Sequence, residues 1–131
     1  MKEKIASIIV ILLGLVGLVQ AQSTLEITIK NIASGDGQIR VALFSNEQGF
    51  LKAAVKTQEV KVSGNEAVCV FGDIEEGDYA VSAFHDLNNN SILDMNWVGM
   101  PTEPYVFSND VRGTFGPPSF SNARFCRCKR S

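Results

Sequence analysis

The sequence predicts an all-β fold, with antiparallel strands packed as a sandwich. Three observations carry this. After residue 22 no stretch sustains a helical apolar period, so amphipathic helices are not expected. Apolar and polar residues alternate instead over short runs, the pattern of half-buried strands. Clusters of Gly, Asn, Asp and Ser separate the runs at the spacing typical of sandwiches. A chain of 131 residues suits one domain. Its 45% hydrophobic and 20% charged residues form a globular balance that excludes wholesale disorder. The net charge of −2 argues against nucleic-acid binding, which a basic surplus normally accompanies.

The N-terminus reads as a separate object. Lys2 and Lys4 precede an apolar run over residues 5–19, interrupted only by Ser7, Gly14 and Gly17. Val19-Gln20-Ala21 then places small residues before a cut. This is the pattern of a secretory signal peptide over residues 1–21, cleaved after Ala21. A membrane anchor is the other reading, but the run is short against the roughly 20 residues a spanning helix needs. The protein is therefore expected to be exported, periplasmic or extracellular, with no membrane span after cleavage. The remaining 131 − 21 = 110 residues carry 10 basic and 13 acidic side chains, net −3. They divide into a sandwich domain over residues 22–125 and a basic, Cys-containing tail over residues 126–131.

The strands follow in order. Leu25, Ile27 and Ile29 alternate with Glu26, Thr28 and Lys30 as the first. Ser34-Gly35-Asp36-Gly37 is a turn, and residues 39–44 are the second strand. Residues 45–54 read as a loop or short helical turn around Phe50. Residues 55–62 and 66–71 are two more strands, with Ser63-Gly64-Asn65 between them as a hairpin turn. Residues 79–85 form a fifth, with Tyr79, Val81, Ala83 and His85 on one face. Residues 86–119 lose the alternation. A loop of that length in a compact domain usually has a function or a local stabiliser.

Charge is segregated too. From Asp73 to Val111 the chain holds eight acids and no Lys or Arg, and from Arg112 onward five basic residues and no acid. Such an acidic field would suit a cation held by oxygen ligands. The segment from His85 to Asn96 has the matching rhythm. Asp86, Asn88, Asn90, the Ile92 carbonyl and Asp94 fall at positions 1, 3, 5, 7 and 9 of a calcium loop. Two features depart from the pattern. Ser91 stands where glycine normally makes the sharp turn, and Trp97 stands where a bidentate Glu would close the shell. Asn96 and Glu103 are candidate substitutes. With few charges, affinity would be weak, about 10⁻⁴–10⁻³ M. The competing reading is an Asn-rich turn held by side-chain-to-backbone hydrogen bonds.

No serine or cysteine nucleophile carries a local signature such as G-x-S-x-G. His85, the only histidine, sits at a strand end, where a hydrogen-bonded scaffold role is the plainer expectation. Trp97, Tyr105, Phe107 and Phe115 are candidate ligand-stacking aromatics, with core packing as the alternative. Phe115 and Phe120 are expected to cap one end of the sandwich.

Cys69 lies within a strand pattern and is expected as a buried, inert thiol. Cys126 and Cys128 are expected not to pair with each other, because an extended strand sends both side chains the same way about 7 Å apart. Two cysteines alone make no zinc site.

Gly77-Asp78-Tyr79-Ala80-Val81 is followed by Ala83-Phe84-His85-Asp86-x-Asn88-x-Asn90-x-x-x-Asp94. Then come Gly99-x-Pro101-x-Glu103-x-Tyr105-x-Phe107-Ser108-Asn109 and Phe115-Gly116-Pro117-Pro118-x-Phe120-x-x-Ala123-x-Phe125. In this combination the chain resembles domain-of-unknown-function family 2141, small exported bacterial proteins, over roughly residues 25–125. The resemblance implies an immunoglobulin-like or transthyretin-like antiparallel sandwich of about seven strands, and no established activity. Asp86, Asn88, Asn90 and Asp94 are also similar to calcium loops in B-type repeats of bacterial surface adhesins. Family members continue past Phe125 into a final apolar strand. Here Cys126-Arg127-Cys128-Lys129-Arg130-Ser131 follows, so the last strand is expected to be missing or shortened, as at a truncated or frameshifted end.

The expected function is an exported, non-catalytic binding or surface-associated module with an unidentified protein, peptide or glycan ligand and calcium as a candidate ion. The alternatives are a purely structural module without metal, and a hydrolase or transferase using His85 with Asp94 or Glu103.

Overall fold

The computed structural model describes residues 7–14, 23–113 and 116–128. Its elements are β1 (Ser7–Gly14), β2 (Ser23–Lys30), β3 (Gln38–Phe44), β4 (Lys56–Val60), β5 (Ala67–Phe71), β6 (Gly77–Asp86), β7 (Tyr105–Phe107), α1 (Phe120–Ala123) and β8 (Phe125–Arg127). A 3₁₀ turn, Ser108–Asp110, follows β7. One antiparallel sheet has the order β1-β2-β5. The other runs β4-β3-β6, with β7 and β8 lying in series along the far edge of β6. Seven strands after residue 22 agree with the expected sandwich.

Alternation explains which faces meet. Leu25, Ile27 and Ile29 of β2 stand opposite Phe71, Cys69 and Ala67 of β5, and all six are buried. From the other sheet they meet Ile39, Val41 and Leu43 of β3 and Val81 and Ala83 of β6. Each full burial of such a Val, Leu, Ile or Phe stabilises the fold by about 1.5–3 kcal/mol. A smaller cluster closes one end, where Ala80, Phe107 and Ala123 pack with Phe50 and Phe120. Phe50 sits edge-on to Phe44 at 5.3 Å and to Phe120 at 5.8 Å. Phe120 thus caps that end as expected, while Phe115 lies outside the described residues.

Ser108 joins β7 to β8 where the ladder along β6 is interrupted. Its hydroxyl is fully buried, accepts the Val81 N–H at 2.9 Å and donates to the Ala123 carbonyl at 2.6 Å. Asn109, at φ 63°, donates to the carbonyls of Asn122 and Arg124. The two side chains replace backbone pairing that the irregular chain cannot make.

Two sequence expectations are corrected. The turn at Ser63-Gly64-Asn65 does close locally, by bonds between the backbones of Ser63 and Glu66. Its flanking strands then part, β4 pairing with β3 and β5 with β2, so they cross between sheets and form no hairpin. The burial pattern gives the reason: β5 alternates buried and exposed, whereas β4 is largely exposed, as an edge strand can be. Cys126 and Cys128 are joined as a disulfide, with Cα atoms 5.4 Å apart, inside the span such a bond permits. β8 ends at Arg127, so Cys128 leaves the extended line on which the 7 Å separation was based.

β8 is three residues long and pairs with the start of β6, from Gly77↔Arg127 to Tyr79↔Phe125. Arg127 holds its inward position and is buried, and among the described residues its Nε has no hydrogen-bond partner. Part of the expected leader, Ser7–Gly14, forms β1, paired with β2 from Ser7↔Lys30 to Gly14↔Ser23. The expected cleavage point lies outside the described residues.

Candidate functional site

The site grows from the end of β6, where His85 and Asp86 are both buried. The His85 backbone N–H donates to Pro104 O at 2.9 Å, and ring Nε2 donates to the carbonyl of Asp36. That carbonyl belongs to the turn before β3, which approaches Asp86 closely at Gly37. Gly37 has φ +67°, and a Cβ there would run into the Asp86 carbonyl oxygen. A cavity of about 40 Å³ lies between His85, Ile29, Ile39 and Val106.

Asp86, 2% exposed, organises the loop that follows. Its Oδ1 accepts the Asn90 N–H at 3.1 Å and its Oδ2 the Ser91 N–H at 2.8 Å. Asn88 Oδ1 accepts from Asn90 N and Asn90 Oδ1 from Ile92 N, two successive Asx turns. Asn89 and Ser91 are left-handed, at φ 57° and 71°, so the sharp turn is made without the glycine. The amides of Asn88 and Asn90 donate to the two Asp94 carboxylate oxygens, each at 2.7 Å. Glu103, 6% exposed, closes the base, accepting Leu87 N–H on Oε2 and Asp94 N–H on Oε1, both at 3.0 Å. Thr102 donates to the Asp94 carbonyl from its N–H and its hydroxyl.

Above this base the chain makes a small closed tip. Met95 and Pro101 bridge, and Asn96 N donates to Met100 O at 2.8 Å. Asn96 Oδ1 accepts from both Val98 N and Met100 N. Gly99, at φ 84°, turns the chain back. With the backbone spent on itself, the side chains point outward: Ile92, Met95, Val98 and Met100 are exposed, and Trp97 is 94% exposed.

The candidate calcium residues are therefore brought together, but in specific roles. Asp86 and Glu103 accept backbone N–H groups, Asn88 and Asn90 turn amide nitrogens toward Asp94, and Asn96 caps the tip. Ile92 enters through its N–H rather than its carbonyl. Among the described residues no three His, Cys, Asp or Glu side chains are placed to hold a metal ion. As arranged, the amide nitrogens of Asn88 and Asn90 face Asp94, so holding an ion there would require both amides to turn their oxygens inward. Asp94 and Glu103, the proposed partners of His85 in a catalytic reading, carry the loop's own bonds instead.

The aromatic candidates do not gather. Trp97 is at the tip, and among the described residues no ring contact joins it to the others. Tyr105 packs edge-on to Phe107 at 5.7 Å, Phe107 is buried in the end cluster, and Phe115 is outside the described residues. Sequence reasoning singled out Trp97 but missed its companions Met95, Val98 and Met100. The available signal was an apolar run inside the most polar stretch of the chain.

The chain matches, over residues 27–130, the model of a family described as an uncharacterized protein conserved in bacteria, DUF2141. No curated protein and no solved structure matches it.

Proposed function

The chain belongs to that bacterial family. We propose that it is an exported, non-catalytic binding module whose contact surface is the apolar tip around Trp97. The observation that carries the reading is the contrast between a fully hydrogen-bonded base and an almost wholly exposed tryptophan above it. Exposed contiguous apolar groups mark interaction sites. Tryptophan is the residue type most enriched where binding energy concentrates. A tip held by Asn96 and Glu103 loses little freedom on binding, which favours affinity. Met, Val and Ile around the ring suit an apolar pocket on a protein or peptide better than a glycan, which would want polar groups beside the aromatic face.

Export is part of the proposal and rests on the leader pattern of residues 1–21. The absence of catalysis in it rests on His85, Asp86 and Glu103 being committed to backbone groups.

Trp97 is the only tryptophan, so its emission reports the tip directly. The full chain is screened against an apolar and a polar peptide array, with a glycan array in parallel. Apolar peptides are expected to shift the emission to the blue, and Trp97→Ala to lose them while keeping its melting temperature. Glycan binding alone, or peptide binding that Trp97→Ala leaves intact, contradicts the reading.

Calcium binding is the second reading, favoured by the convergence of Asp86, Asn88, Asn90 and Asp94 within one loop. Titration with calcium, read as melting temperature, decides it: a rise that Asp94→Ala abolishes supports an ion, and no shift at millimolar calcium removes it.

A further inference from the structure

β1 lies outside the family match, which begins at residue 27, yet it takes a full strand's place in the fold. All eight of its residues pair with β2, and it also lies against β7 and the 3₁₀ turn of the opposite sheet. Its sequence, Ser-Ile-Ile-Val-Ile-Leu-Leu-Gly, has no charge and no proline, and four consecutive β-branched residues. Such a segment favours extended pairing. Without it, β2 and β5 would form a two-stranded sheet, marginal by itself, with one edge of β2 unpaired. An open edge of this kind is a template for another chain.

Resting on the reading of residues 1–21 as a removable leader, we propose that this edge of β2 is a strand-acceptor site for an apolar, uncharged extended segment of a partner protein. Ser7–Gly14 holds the site until the leader is removed. The occupant's chemistry follows from what seats itself there: about eight residues, antiparallel to β2, rich in Ile, Val and Leu. Backbone hydrogen bonds to β2 supply affinity, and side chains on alternate positions supply selectivity.

The test uses the full chain and a labelled peptide with the sequence of residues 7–14, flanked by lysines for solubility. Wild type, whose edge is filled, is compared with the double substitution Ile9→Pro, Ile11→Pro, which removes donors from β1. The variant is expected to bind the peptide at least tenfold more tightly than wild type. Binding should also slow hydrogen exchange in β2, and a proline-containing control peptide should do neither. Equal binding to both proteins, binding to neither, or a variant that dimerises and ignores the peptide overturns the proposal, the last assigning the edge to a second copy.

Should the variant not fold, a protease site placed between residues 15 and 22 allows folded wild type to be cut. Retention of the cut segment, or its replacement by labelled peptide, supports the site. Its loss without peptide uptake overturns it. N-terminal sequencing of the exported protein tests the leader separately. An intact Met1 there would refute the leader reading while leaving the peptide result standing.

Discussion

Glu103 and Asp94 stand nine residues apart, and Oε1 of Glu103 accepts the Asp94 backbone N–H at 3.0 Å. The other Glu103 oxygen takes the N–H of Leu87, so one buried carboxylate ties both arms of the loop to β6. Asp94 in turn receives the amides of Asn88 and Asn90. The loop is thereby cross-linked at its base before the tip begins.

Glu103→Ala leaves the N–H groups of Leu87 and Asp94 without their acceptor. A fully buried, unsatisfied donor costs about 1–3 kcal/mol, and these two part-buried donors fall toward the lower end of that range. The substitution is expected to destabilise by about 2–4 kcal/mol in urea unfolding, and Glu103→Gln, which keeps one acceptor oxygen, by about half as much. A loss for Glu103→Ala no larger than that of an exposed substitution such as Glu76→Ala would mean the base is not held this way.

Ser108→Ala removes the hydroxyl that satisfies Val81 N–H and Ala123 C=O. A loss of about 1–3 kcal/mol is expected. Because both groups lie between β7 and β8, hydrogen exchange at Val81 should accelerate more than at the β3–β6 ladder.

Ser91→Gly should stabilise. A left-handed non-glycine residue costs about 1–2 kcal/mol, offset in part by the greater freedom glycine gives the unfolded chain. A net gain of about 0.5 kcal/mol is expected in thermal unfolding, with the Ser91 N–H still bound to Asp86. A loss on this substitution would imply that the contact from Arg40 to the Ser91 hydroxyl outweighs the strain.

Burial pushes the Cys69 thiol from 9.0 up to about 12. The folded chain therefore keeps this proton between those values while the unfolded chain loses it. The contribution is fully present below pH 9 and is lost as pH rises toward about 12. Cys69→Ala should flatten the alkaline fall in stability. With Cys126 and Cys128 joined, a thiol reagent should find no reactive group in the native protein and one after unfolding.

The strands were readable wherever a segment is half-buried, because alternation then records the core face residue by residue, as in Leu25, Ile27 and Ile29. β7 was not, since three residues after Pro104 are too few to show a period. Ser7–Gly14 reads as a leader, or as an anchor, and not as a strand, because a continuous apolar run is compatible with all three. The base residues Asp86, Asn88, Asn90 and Asp94 are legible from their spacing, and Glu103 only as an acidic substitute beyond the loop. Which way their amides and carboxylates turn is a matter of geometry that spacing does not encode. Met95, Val98 and Met100 were missed because exposed and buried apolar residues look alike in a sequence.

The most direct measurement is amide hydrogen exchange across residues 86–103 of the full chain in the presence of a chelator. The N–H groups of Leu87, Asn90, Ser91 and Asp94 are expected to be protected without any metal, since Asp86 and Glu103 already hold them. Exchange at unprotected rates in chelator, with protection gained only when calcium is added, would contradict a self-supported platform beneath Trp97.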